Sequence, residues 1–98
     1  MQVFEDHTAL EEFCKRNGVK SLSLFGSTLK GTATPDSDVD ILVAFDETAT
    51  PSLLDMVRME IELSELIGGR KVDLRTANDL SRYFRDEVLA SAVLQYAA

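Results

Sequence analysis

Between Asp38 and Phe45 the chain reads DVDILVAF, and this stretch limits the fold more than any other. Val39, Ile41, Val43 and Phe45 recur at every second position, the spacing that places side chains on one face of a β-strand. A strand with a buried face needs strand neighbours, and two further runs supply them. Val19 to Phe25 alternates Leu22 and Leu24 with Ser21 and Ser23, and Lys71 to Arg75 sets Val72 and Leu74 to one side. Breakers separate these runs: Asn17-Gly18, Gly26-Ser27, the turn signal Thr34-Pro35-Asp36-Ser37, and Gly68-Gly69.

Helical periodicity fills the intervals. Thr8-Ala9-Leu10-Glu11 has the form of a capping box and predicts a helix from Thr8, with Leu10, Phe13 and Cys14 on its inner face. A short turn through Leu29 and Lys30 is expected before Gly31. Thr50-Pro51 predicts a long helix with proline at its first position and a core stripe of Leu54, Val57 and Ile61, widened by Leu53 and Leu66. Leu53, Leu54, Met56 and Met59 read as mostly core, with any exposed remainder available to a partner helix. Ser81 to Gln95 reads as a final helix, with Phe84, Val88, Leu89 and Ala92 periodic and Asn78 as an alternative cap. The order α-β-(short α)-β-α-β-α predicts an α/β or α+β domain with a three-stranded central sheet. At 98 residues the expectation is one domain, spanning 1–98, around one core.

The pattern also excludes several functions. Seventeen acidic against ten basic residues give a net charge of −7, so no strong electrostatic grip on nucleic acid is expected. No apolar run approaches the ~20 residues of a membrane span, and Met1 to Asp6 carries no signal-peptide pattern. The single cysteine, Cys14, permits no internal disulfide and suits a reducing cytoplasm. It reads as a buried, inert thiol. His7, alone, reads as a surface residue, and with no further histidine or cysteine a zinc site is not expected.

Chemistry concentrates between Leu24 and Val43. Asp38 and Asp40 point the same way from one strand, where aspartate is uncommon. Two adjacent carboxylates repel unless a cation lies between them, and all-oxygen ligation suits Mg²⁺ or Mn²⁺. Asp73 lies opposite in phase to Val72 and Leu74. If its strand neighbours that of Asp38 and Asp40, three carboxylates converge, an arrangement able to hold two metal ions for an in-line phosphoryl or nucleotidyl displacement. The Gly26-Ser27 corner offers backbone N–H groups and a hydroxyl to a phosphate, and Lys30, one turn on, could add positive charge. Asp36, Asp38 and Asp40 also begin like a calcium loop, with Glu47 at its twelfth position, but Ile41 stands where that loop requires glycine. Arg70, Lys71, Arg75, Arg82 and Arg85 read as a solvated surface, with contact to a ligand's phosphates or an acidic partner as the alternative.

Gly26-Ser27, ten residues, then Asp38-Val39-Asp40, with Asp73 within KVDL, resembles the signature of the DNA polymerase β-like nucleotidyltransferase superfamily, and the small chain resembles its minimal nucleotidyltransferase group over roughly Ser21 to Tyr96. The resemblance implies a small mixed sheet with flanking helices, Mg²⁺ and a nucleoside triphosphate. It implies that Asp38 and Asp40 hold metal, that Asp73 completes the site and helps activate the attacking hydroxyl, and that Gly26 and Ser27 cradle the triphosphate. Members of this group are often antitoxins that transfer AMP from ATP to a tyrosine of a HEPN-domain ribonuclease toxin, which makes such a toxin the implied partner. The chain departs from the family where arginine often follows the Gly-Ser pair and recurs two residues later. Thr28 and Lys30 stand there, and lysine keeps the charge without the planar fork. Two other functions fit the same residues: a non-catalytic module that masks a toxin, and the catalytic half of a two-chain transferase acting on a small molecule or tRNA.

Overall fold

The computed structural model describes residues 3–26 and 38–98. The expectations for Ser27, Thr28, Lys30, the turn at Leu29 and the Thr34–Ser37 turn lie outside these residues. The elements are α1 (His7–Arg16), β1 (Val19–Leu24), β2 (Val39–Phe45), α2 (Leu53–Leu66), β3 (Val72–Arg75), a single 3₁₀ turn (Ala77–Asp79), α3 (Arg82–Ser91) and β4 (Val93–Ala97).

Helix α1 begins earlier than the Thr8 box predicts. The Asp6 carboxylate accepts the Ala9 N–H at 3.0 Å, so Asp6 is the N-cap and Thr8 falls within the first turn. Leu10, Phe13 and Cys14 are its buried residues. Burial pushes the Cys14 thiol up to about 12, so it stays protonated at neutral pH. Gly18, at φ +66°, turns the chain directly into β1.

The sheet has four strands in the order β3-β2-β1-β4. β1 pairs antiparallel with β2 and β4, and β2 pairs parallel with β3, with α2 as the crossover. Leu22, Leu24, Val39, Ile41, Val43, Val72 and Leu74 join Phe4, Leu10, Phe13, Cys14, Met59 and Leu63 in one core cluster. Among the described residues no helix is long and apolar enough to cross a membrane.

Other sequence expectations are corrected as well. Helix α2 starts at Leu53, with Ser52 and Asp55 forming a reciprocal capping box (3.1 and 2.9 Å), which leaves Pro51 outside the helix. Its core face is Met59 and Leu63, with Met56 and Leu66 partly buried against the core. The expected stripe faces away from the core: Leu54 is 59% exposed, Val57 42% and Ile61 57%, with Leu53 further out still. Apolar residues run round most of α2, so periodicity alone offers two competing faces. Residues 56, 59, 63 and 66 match the helical repeat and win. The final helix stops at Ser91, and Val93–Ala97 forms a fourth strand that pairs with β1. Val93, Leu94 and Tyr96 continue a helix-like spacing with no breaker before them, which hides the strand in the sequence. Helix α3 itself buries no residue, and Phe84 and Leu89 are exposed.

Candidate functional site

The end of β1 and the start of β2 meet at one margin of the sheet. The Phe25 N–H donates to the Asp40 carbonyl at 3.1 Å, carrying the antiparallel ladder to its last rung. Gly26 follows at φ +66°, in the left-handed region that glycine adopts without steric cost. A Cβ at Gly26 would run into the Asp40 carboxylate, with Cγ only 3.2 Å away. The turn and the carboxylate are therefore in close apposition, and a side chain at position 26 would require the Asp40 carboxylate to move.

The parallel ladder places Asp73 on the other side of Asp40. The Val39 N–H donates to the Lys71 carbonyl at 2.8 Å, and the register pairs Val39 with Val72 and Asp40 with Asp73. Val39, Val72 and Leu74 face the core, so Asp40 and Asp73 project from the opposite face. Asp38 stands just before β2 and is exposed. Thus the sheet brings the backbone positions of Gly26, Asp38, Asp40 and Asp73 to one place. Ser27 and Lys30 lie outside the described residues.

The carboxylates have cationic neighbours. The Lys71 ammonium lies 3.9 Å from Asp38, and Arg75 Nε donates to Asp73 at 3.3 Å. Arg75 lies two residues after Asp73 on β3 and Lys71 two residues before it, just ahead of the strand, so the alternation sets all three to one side. That alternation was the available sequence signal for assigning these two basic residues to the site rather than to open surface. Arg85 serves elsewhere: its guanidinium donates to the Ala77 and Leu80 carbonyls, tying the 3₁₀ turn to α3.

Among the described residues no three acidic, histidine or cysteine side chains are gathered into a ready cation site. The donor set nevertheless fits a hard divalent cation: three carboxylates at one sheet margin, with oxygen the only donor type. Two of them are engaged in exposed ion pairs, worth about 0–1 kcal/mol each, a small barrier to turning toward a stronger cation.

A left-handed glycine turn against Asp40, with Asp38 two residues before it and Asp73 on the adjoining strand, is the juxtaposition expected from the sequence. Comparison with known proteins makes this specific: the chain belongs to the nucleotidyltransferase domain family, whose model matches residues 7–95. Protein adenylyltransferase MntA of Thermococcus cleftensis is 42% identical over 83 residues, 85% of this chain and 81% of that protein. A candidate protein adenylyltransferase of Methanocaldococcus jannaschii is 42% identical over 78 residues, 80% and 81% of the two chains. A solved structure of a candidate minimal nucleotidyltransferase superposes with a TM-score of 0.71 at 38% identity, covering 89% of this chain and 86% of that one. The same fold occurs in an MNT antitoxin bound to a tri-AMPylated Shewanella oneidensis HEPN toxin (TM-score 0.64, 17% identity, 94% and 70% covered). It occurs also in a toxin–antitoxin structure with AMP-PNP (TM-score 0.72, 20% identity, 95% and 74% covered). The expected family and the polymerase β-like α/β fold are both borne out; the sheet has one strand more than expected.

Proposed function

We propose that this nucleotidyltransferase is a divalent-metal-dependent protein adenylyltransferase that acts as an antitoxin, moving AMP from ATP to a tyrosine of a HEPN-type ribonuclease toxin. The reading is carried by the register that sets Asp73 beside Asp40, with Gly26 on the other flank. The names of the relatives and the AMPylated toxin in a complex of the same fold support the acceptor class.

Asp38 and Asp40 would hold Mg²⁺ or Mn²⁺, with Asp73 completing the set. Bound there, the ions would supply charge neutralisation for the triphosphate. Gly26 and Ser27 cradle the phosphates, and Lys30 adds positive charge beside them. The acceptor hydroxyl oxygen forms a bond to the α-phosphorus of ATP while the bond to the bridging oxygen breaks. Pyrophosphate leaves and the hydroxyl proton passes to the Asp73 carboxylate. Lys71 and Arg75 keep the acidic margin near neutrality between turnovers. The exposed Leu53, Leu54, Val57 and Ile61 face of α2 gives a protein partner an apolar surface. Free, buried Cys14 suits a reducing cytoplasm.

The test is transfer of label from [α-³²P]ATP, with Mg²⁺, to the protein encoded beside this gene. Wild type should label it and the D38N/D40N variant should not. Absence of label with wild type, or equal labelling by the variant, refutes the reading. The apolar face of α2 favours one alternative, a stoichiometric binder that masks the toxin without chemistry. In that case D40N would neutralise the toxin as well as wild type does.

A further inference from the structure

We infer that Glu60 is a positioning residue for this reaction: from α2 it clamps the outer edge of β3 and thereby fixes the direction of Asp73. Its Oε2 accepts the Leu74 N–H at 2.9 Å, in a partly buried setting, at the residue immediately following Asp73. β3 has only four residues and ends the sheet, so its ladder to β2 runs along one edge alone. A strand held along a single edge can pivot about that ladder, and a pivot swings a side chain that stands perpendicular to the sheet. Val72 and Leu74 of β3 share the core cluster with Met59 and Leu63 of α2, and this burial resists separation, but apolar contact carries little directional preference. A hydrogen bond from a carboxylate to an outward N–H is directional and charge-assisted. Placed on the edge opposite the ladder, it removes the pivot. It also blocks the edge against pairing with another strand, as natural sheets require. Glu60 acts through the backbone on which Asp73 rides. No local signal marks it in the sequence, since the contact spans 14 positions from helix to strand.

The inference rests on the proposed role of Asp73, and the test separates the two. E60A and E60Q are compared with D73N and wild type in the ATP-dependent labelling assay, with amide exchange at Leu74 followed by NMR on the metal-free protein. Exchange of the Leu74 amide should quicken about ten- to a hundredfold in E60A. In E60Q, whose amide oxygen still accepts, it should stay near wild type. In the assay E60A should lower kcat about ten- to a hundredfold at unchanged KM for ATP, because a small misplacement of one reacting group is costly. E60Q should restore most of it. Unchanged kcat in E60A overturns the inference, as do equal losses in E60A and E60Q or a matching rise in KM. If D73N retains full activity, the role of Asp73 fails, and the exchange measurement alone then decides whether the clamp exists.

Discussion

Replacing Gly26 by alanine separates the fold from the chemistry. Gly26 has φ +66°, and holding an alanine there costs about 1–2 kcal/mol. Gly68, at φ +79°, pays the same backbone penalty, but a Cβ there meets nothing within 4 Å. The two substitutions should therefore lower stability alike, by roughly 4–8 °C in melting temperature for each kcal/mol in a domain of this size. They differ in what the new methyl strikes. At Gly26 it meets the end of the Asp40 side chain, which can rotate away at little cost to the fold. That rotation removes a carboxylate from the site, and a displacement on the order of 1 Å can cost about a hundredfold in rate. G26A should thus be as stable as G68A within about 1 kcal/mol yet about a hundredfold slower in ATP-dependent labelling, with G68A near wild type. The measurements are thermal melts by circular dichroism and initial rates below both transitions. Equal rates in the two variants would refute the reasoning, and so would a G26A defect explained by its melting curve.

Four further outcomes follow from the same structure. Leu63→Ala should cost about 2–5 kcal/mol in urea unfolding, since Leu63 is fully buried, while Leu54→Ala should stay within about 0.5 kcal/mol. The Ser52 backbone N–H, then its hydroxyl, hold Asp55 below the usual carboxylate range; Thr76 does the same for Asp79 through its backbone N–H and then its hydroxyl. Lowered folded values mean that this stabilisation is present above the ordinary carboxylate pKa and is lost as pH falls through them, so acid melts should fall off below about pH 4, and less steeply in D55N. Cys14 should react with DTNB only as fast as the chain opens, because its thiol is buried and protonated. Gly18→Ala should destabilise more than G68A, because its Cβ would lie 2.9 Å from that of Ala49.

How far the sequence could be read depended on whether each signal was local. β2 was legible because Val39, Ile41 and Val43 alternate and are all buried, although Leu42 on the other phase is buried as well. The phase of Asp73 against Val72 and Leu74 was legible for the same reason, and the parallel register then set it beside Asp40. Helix starts were misjudged where two capping residues competed: Asp6 over Thr8, and Ser52 over Pro51. The buried face of α2 could not be chosen from spacing, since Leu54, Val57 and Ile61 repeat as regularly as Met59 and Leu63. β4 was hidden because its partner β1 lies some seventy residues away, and only that pairing makes Val93 to Ala97 extended. The Lys71–Asp38 contact depends on the pairing of β2 with β3, and the Glu60 contact on β3 ending the sheet, properties of topology rather than of any segment.

The proposed chemistry requires Asp38, Asp40 and Asp73 to act together on a divalent cation. Titration of ¹⁵N-labelled protein with Mn²⁺ tests this directly, because paramagnetic broadening maps the ion without any need for acceptor or turnover. Amides of Gly26, Asp38 to Asp40 and Asp73 should broaden first, and D40N should abolish the effect. Broadening centred instead on the acidic residues of α2, or spread evenly over the chain and unchanged in D40N, would contradict it.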